Sequence, residues 1–313
     1  METTELQKIL IGVKNNIATL VKGHDALLMK TIAAFFSGGH LLLEDVPGTG
    51  KTTLAKALAK SVGMSFSRIQ FTPDLMPADI TGMSVYNSRS GEFEFKKGPI
   101  FANIILADEI NRASPRTQSA MLEAMGESQV STDAGQFALQ KPFFVIATQN
   151  NVESRGTYSL PESQMDRFSM KLSMGYVSAE AEVEILKEHG FVKGLENLRP
   201  VVTAEQIVEA MDQIERISVS EELQHFIVQI VGATRKTDGI KVGASPRASL
   251  SLMKIAQVNA AFDGRDFVIP DDILRSAVDV LSHRLILDNV SFSSSVSRET
   301  LVLTILEGIK VPV

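Results

Sequence analysis

The run Leu41-Leu42-Leu43-Glu44-Asp45-Val46-Pro47-Gly48-Thr49-Gly50-Lys51-Thr52-Thr53 sets glycines, a lysine and hydroxyls at a spacing suited to phosphate chemistry. An apolar strand feeds a Gly/Pro turn, and Gly50-Lys51-Thr52 opens a helix that continues through Leu54-Ala55-Lys56-Ala57-Leu58. In that setting the backbone N–H groups of Gly48, Thr49, Gly50, Lys51, Thr52 and Thr53 can wrap a β-phosphate, with Pro47 setting the turn. Lys51 can neutralise the β/γ oxygens, and the Thr52 hydroxyl can ligate Mg²⁺. Pro47 to Thr53 is therefore the candidate loop for a nucleoside triphosphate; a turn that merely starts a helix is the plainer alternative. The loop departs from the usual pattern at Asp45, where the first glycine commonly stands. A carboxylate facing a triphosphate would repel it, so Asp45 is expected to point away.

A second set of residues could complete the site. Phe101-Ala102-Asn103-Ile104-Ile105-Leu106-Ala107-Asp108-Glu109 is an apolar strand ending in two carboxylates. In phosphate-loop enzymes an Asp at such a strand end holds Mg²⁺, mostly through water, which pairs Asp108 with Thr52 as metal partners. Glu109 is placed to polarise an attacking water. Phe143–Asn150 is another buried strand that ends in polar amides. Asn150 could orient that water, or Asn150-Asn151 could simply cap a turn. Arg247 follows Ser245, a good N-cap, and Pro246, which suits the first helical position. The helix dipole disfavours a cation there, which makes sense beside an anion such as a phosphate; a solvated or surface-paired arginine is the alternative.

These residues need a scaffold. Apolar runs at His40–Glu44, Phe66–Phe71, Phe101–Ala107, Phe143–Thr148 and Phe168–Leu172 alternate with helical stretches. Strands buried on both faces read this way, so the expected fold is α/β with a parallel sheet flanked by helices. Val85–Phe95 and Glu127–Leu139 interrupt the rhythm with polar alternation around Ser90-Gly91 and Asp133-Ala134-Gly135. Both fit β-hairpins standing off the sheet, or else solvated loops. After about residue 177 helical patterns take over. Ser178, the capping box Thr203-Ala204-Glu205-Gln206, Ser220 and Pro270 mark helix starts. The expected division is an α/β unit over 1–189 and a helical domain over 190–313, joined through Gly190–Pro200.

Composition narrows the function classes. A chain of 313 residues carries 22% charged residues and a net charge of −6. The diffuse basic footprint of a nucleic-acid binder is missing. With no cysteine, disulfides, thiolate metal sites and cysteine nucleophiles are excluded. Met1-Glu2-Thr3-Thr4-Glu5 has neither a basic leader nor an apolar core, and no apolar run approaches the ~20 residues that span a bilayer. A soluble, cytoplasmic protein is expected.

The motifs together resemble the MoxR family of AAA+ ATPases. Leu41–Thr52 looks like the family's opening motif, and Leu106-Ala107-Asp108-Glu109-Ile110-Asn111-Arg112-Ala113 fits the next. Met121-Leu122-Glu123-Ala124-Met125, Ala147-Thr148-Gln149-Asn150, Gly156–Phe168 and Gly243-Ala244-Ser245-Pro246-Arg247-Ala248 follow in family order, from about residue 20 to about residue 290. Asp45 and Arg155 are local variations. The resemblance implies a five-stranded AAA+ sheet with a C-terminal all-α lid. Val85–Phe95 falls within its helix-2 insert (about 84–98), and Glu127–Leu139 within its hairpin before the sensor strand (about 127–140). It assigns Lys51 and Thr52 to Walker A, Asp108 and Glu109 to Walker B, and Asn150 to sensor 1. Arg167 falls where the family has its arginine finger, and Arg247 where it has sensor 2. In a monomer Arg167 would be an ordinary surface pair with Asp166; Arg112 is a second candidate for the finger.

The implied function is Mg²⁺-dependent ATP hydrolysis in a homo-oligomeric ring, a hexamer. It is coupled to chaperone-like remodelling, maturation or activation of a protein client, often a separate protein with a von Willebrand factor A domain. Exposed Tyr86, Phe93 and Phe137 on the two hairpins are the expected client contacts. A nucleic-acid motor of the MCM type and a nucleotide-gated scaffold remain as alternatives, the former disfavoured by the acidic balance.

Overall fold

Leu41, Leu42 and Leu43 are each fully buried, and so are Ile104 to Ala107 and Val145 to Ala147. Residues apolar at every position can be accommodated only by strands covered on both faces. The computed structural model, which describes residues 3–46, 48–150, 157–187, 191–288 and 297–312, arranges them accordingly. Helices α1 (Thr3–Ala18) and α2 (Asp25–Phe36) come first, then β1 (Leu41–Glu44), α3 (Lys51–Ser61) and β2 (Phe66–Gln70). Short α4 (Pro77–Thr81) precedes a hairpin of β3 (Gly82–Asn87) and β4 (Glu92–Lys97). Next come β5 (Ile104–Asp108), α5 (Pro115–Glu127) and a second hairpin, β6 (Gln129–Thr132) with β7 (Gly135–Ala138). Strand β8 (Phe144–Gln149), the single turn α6 (Glu162–Met165) and β9 (Met170–Leu172) complete this half.

The five-stranded sheet runs β2-β5-β8-β1-β9, with every neighbouring pair parallel. Its register places Gln70 beside Asp108 and Glu44 beside Gln149, so the polar strand ends share one edge. Because side chains alternate, Leu41, Leu43, Ile104, Leu106, Phe144 and Ile146 face α1, α2 and α3. Leu42, Ile105, Ala107, Val145 and Ala147 face α5 on the other side.

The remaining described elements are α7 (Ala179–Lys187), α8 (Phe191–Asn197), α9 (Ala204–Glu215), α10 (Glu221–Thr234), β10 (Ile240–Val242), α11 (Pro246–Phe262), α12 (Pro270–Leu281), β11 (Ile286–Leu287) and α13 (Arg298–Glu307). The capping box at Thr203 and the Ser220 and Ser245 caps form as the sequence predicts. Two features differ. Most of the expected connector Gly190–Pro200 is helix α8, held against α3 where Lys60 Nζ donates to Leu195 O at 2.6 Å. The helical half also carries an antiparallel ribbon, β10 with β11, too short to show a period in sequence. Helices α1 and α2 join α9 to α12 in one apolar core, and Gln7 Nε2 donates to Phe262 O at 2.8 Å. The N-terminal helices thus pack between the sheet and the C-terminal helices.

The hairpins stand together. Phe95 of β4 and Phe137 of β7 stack at 4.5 Å with their planes 10° apart, and Phe101 meets both edge-on. Phe137 is therefore committed to a ring stack rather than standing exposed beside Tyr86 and Phe93, which corrects the sequence expectation. Tyr86 and Phe93, paired across the strands at 5.4 Å, are 57% and 73% exposed and form the apolar tip.

Candidate functional site

Gly48 and Gly50 adopt φ of +86° and +96°, backbone conformations that glycine reaches without strain. They turn the chain between β1 and α3, and Lys51 opens the helix. Pro47 lies outside the described residues. The loop lies at the carboxyl edge of the parallel sheet, where open α/β sheets place their ligands. It lines a cavity of about 360 Å³ together with Asp108, Glu109 and Asn150. Lys51 Nζ donates to the carbonyls of Val46 at 2.7 Å and Asp45 at 3.3 Å. Burial pushes the Lys51 ammonium below its ordinary range, and the carboxylates of Asp45, Asp108 and Glu109 pull it back. Thr49 and Thr52 also line the cavity, whereas Thr53 is buried. The Asp45 carboxylate accepts the N–H of Met174 at 2.9 Å and of Gly175 at 2.8 Å through Oδ2, and that of Val46 at 2.7 Å through Oδ1. Those bonds aim it at the segment after β9.

The two carboxylates after β5 are tightly positioned. Thr148 Oγ1 donates to Asp108 Oδ1 at 2.7 Å and accepts the Glu109 N–H at 2.8 Å. Arg68 reaches Asp108 Oδ2 through Nη2 at 2.6 Å and Nε at 3.1 Å. Glu109 holds a left-handed backbone at φ +56°, and its Oε2 accepts from Arg112 at 2.9 Å and Gln70 at 3.2 Å. For a residue with a side chain that conformation is uncommon, and such outliers collect at functional sites. Asn150 O accepts from Asn111 Nδ2 at 3.4 Å. The Thr52 hydroxyl and Asp108 carboxylate are hard oxygen donors lining one cavity, a set that suits Mg²⁺. A loop with two left-handed glycines and a lysine suits a polyphosphate, so these residues fit both groups.

Two of the three arginines named from sequence fall elsewhere, while Arg112 reaches the site through Glu109. Neither Arg167 nor Arg247 is among the residues lining this cavity. Arg167 does not pair with Asp166: its Nη1 donates to Leu122 O on α5 at 2.6 Å, against Gly126. Asp166 turns instead to the C-terminal half, where Oδ2 accepts the Ser245 hydroxyl at 2.8 Å and Oδ1 lies 2.9 Å from Arg284 Nε. Ser245 also caps α11 through Arg247 N, and Arg247 itself is exposed. Arg112 pairs with Glu109 of its own chain.

Arg68, Gln70 and Arg284 complete these networks and lie in no motif quoted from the sequence, and Thr148 lies within Ala147-Thr148-Gln149-Asn150 without a role assigned to it there. The one available signal for Arg68 and Gln70 was polarity at alternate positions of Phe66–Gln70, beside a strand ending in Asp108. Among the described residues no helix is long and apolar enough to cross a membrane, and no group of three His, Cys, Asp or Glu is placed to hold a metal.

Comparison with known proteins agrees with this geometry. Residues 40–170 match the family "ATPase family associated with various cellular activities (AAA)", and residues 232–304 match an AAA lid domain. The chain is 45% identical to the uncharacterized protein YeaC of Bacillus subtilis, over 99% of this chain and 97% of that one. It is 39% identical to chaperone MoxR1 of Mycobacterium tuberculosis, covering 99% and 83% respectively. A crystal structure of a protein assigned as an ATPase from Cytophaga hutchinsonii superposes with a TM-score of 0.92 at 38% identity, covering 99% of this chain and 97% of that one.

Proposed function

The chain belongs to the MoxR family of AAA+ ATPases, and on that premise we propose that it hydrolyses ATP with Mg²⁺ as a homohexameric ring and uses turnover to remodel a protein client. The observation that carries this is the single cavity gathering Lys51, Thr52, Asp108, Glu109 and Asn150. In the proposed mechanism the loop N–H groups from Gly48 onward bind the phosphates, and Lys51 leaves the carbonyls of Asp45 and Val46 for phosphate oxygens. Thr52 and Asp108 would hold Mg²⁺, which supplies Lewis-acid polarisation of the terminal phosphoryl group. Glu109 takes the proton of the attacking water on its carboxylate, whose direction Arg112 and Gln70 fix. Asn150 orients that water. Arg167 serves the site of the neighbouring subunit, and Arg247 senses the nucleotide from the lid.

The client is a protein engaged by the hairpin tips at Tyr86 and Phe93, and the proposed partner is a separate protein with a von Willebrand factor A domain. A relative of 39% identity is named a chaperone, which supports this client class. The net charge of −6 counts against nucleic acid as the partner. The cytoplasm is the proposed compartment.

The test separates binding from chemistry. Lys51→Ala should lose ATP binding by calorimetry, whereas Glu109→Gln should retain it and lose turnover by about 10²-fold or more. Unchanged hydrolysis in Glu109→Gln would remove the general-base role. Sedimentation of Glu109→Gln with ATP should show a hexamer; a monomer at every concentration would remove the ring.

A further inference from the structure

We infer that Arg68 stands in for the divalent cation at Asp108 while the metal is absent, and that metal uptake requires Arg68 to leave. The inference rests on the nucleotide-site assignment above and adds a residue that assignment does not use. Arg68 lies on β2, which pairs directly with β5, in register opposite Leu106 while Gln70 sits opposite Asp108. Its guanidinium places Nη2 at 2.6 Å and Nε at 3.1 Å from one oxygen, Asp108 Oδ2. Nη2 also donates to Gln70 Oε1 at 2.7 Å, which aims the fork along the strand edge.

Lone-pair accounting turns this contact into a competition. A carboxylate oxygen offers two acceptor directions. Both on Oδ2 are used by Arg68, and one on Oδ1 is used by the Thr148 hydroxyl at 2.7 Å. A hydrated divalent cation needs those same acceptors, whether it binds directly or through its waters. Without it, Asp108 would stand as a bare carboxylate beside Glu109 and the phosphates, and Arg68 compensates that charge. The two partners are unequally held. The Arg68 side chain is 48% exposed and free to swing into water, whereas Asp108 is 14% exposed and tied to buried Thr148. Arg68 lines the same cavity as the phosphate loop, and in this inference it acts as a positioning residue for Asp108.

The test compares wild type, Arg68→Ala and Arg68→Lys in fluorescent-ATP titrations, once in EDTA and once in saturating Mg²⁺. Arg68→Ala should weaken binding in EDTA, where Asp108 loses its counter-charge, and retain or strengthen it in Mg²⁺. The affinity ratio between Mg²⁺ and EDTA should rise by about fivefold to tenfold. Arg68→Lys keeps the charge without the fork and should fall between. The rise should disappear in an Asp108→Asn background, a pairwise dependence that a general loss of structure would not show. Equal losses in EDTA and Mg²⁺ would overturn the inference and make Arg68 a phosphate ligand. A wild-type chain that binds no nucleotide in either condition overturns the nucleotide assignment instead. Loss of the free Mn²⁺ resonance signal on titrating nucleotide-free protein then decides the placeholder. Tighter Mn²⁺ binding in Arg68→Ala supports it, and equal affinity overturns it.

Discussion

The carboxylate of Asp45 accepts the backbone N–H of Gly175 at 2.8 Å, which fastens the head of the phosphate-binding loop to the segment leaving β9. Met174 N–H shares the same oxygen and Val46 N–H takes the other. The residue that breaks the loop pattern therefore points its charge at the chain leading toward the helical half. Asp45→Ala leaves three N–H donors to find other partners and should cost about 1–3 kcal/mol by urea unfolding. Asp45→Asn keeps an acceptor and should cost less. Equal stability in all three proteins would show that these bonds contribute nothing net.

His40 is fully enclosed beneath the sheet. Its Nδ1 accepts Val145 N–H and its Nε2 donates to Met125 O, each at 3.1 Å. Burial pushes its pKa from 6.5 down to about 4, with the Met125 bond opposing the shift. The unfolded chain therefore binds a proton that the folded chain refuses between those values. Stability is full above about pH 6.5 and falls as the pH drops toward 4. From pH 7 to 5 the loss from His40 alone should be on the order of 2 kcal/mol. Buried His283, also pushed well down, adds with the same sign. Urea midpoints across this range check it, and His40→Gln should show a shallower slope.

Where one physical requirement fixes a residue type, the sequence is readable. Leu41–Leu43 must be apolar because both faces of β1 are covered, and Gly48 and Gly50 stand where φ is positive. Gly91 and Gly135, at φ +73° and +125°, mark the two hairpin turns for the same reason. The networks are less readable because they depend on register between strands far apart in sequence. Arg68 acquires meaning only when β2 lies beside β5, and Thr148 only when β8 flanks β5 on the other side. Adjacency misled at Asp166-Arg167. The turn after α6 sends these side chains to Ser245 and to Leu122, two different elements. The apolar period of α1 (Leu6, Ile9, Leu10, Val13, Ile17) marks a helix, but not its seat against α11.

Arg284 joins the two halves from inside. Its side chain is 2% exposed, with Nη1 donating to Val280 O at 2.6 Å and Nη2 to Phe168 O at 2.8 Å. Nε lies 2.9 Å from Asp166 Oδ1, close but poorly aligned for a hydrogen bond. Burial lowers its pKa to about 10, with Asp166 holding it up. Arg284→Ala would leave Asp166 without its counter-charge and the Val280 carbonyl without this donor, so a loss of about 3–5 kcal/mol is expected in urea unfolding. Arg284→Lys cannot reproduce the planar fork and should recover only part of it. A loss under about 1 kcal/mol would mean that water takes over these contacts.

Arg167 is held within its own chain by the carbonyl of Leu122, where it also fills the space beside Gly126. It does not line the cavity of its own chain, and the proposed catalytic role is one exercised in trans, on a neighbour's site. Arg167→Ala should then lower hydrolysis by about 10³-fold or more, the range of an arginine finger, while leaving ATP binding in place. Glu109→Gln, inactive for a different reason, still offers an intact Arg167. Mixing the two inactive proteins should build rings in which some sites join a sound Glu109 to a neighbour's sound Arg167, restoring part of the activity. The recovered rate should peak at intermediate mixing ratios. Mixed rings that form, as shown by differently tagged subunits co-purifying, yet stay inactive at every ratio would assign Arg167 a structural role at α5.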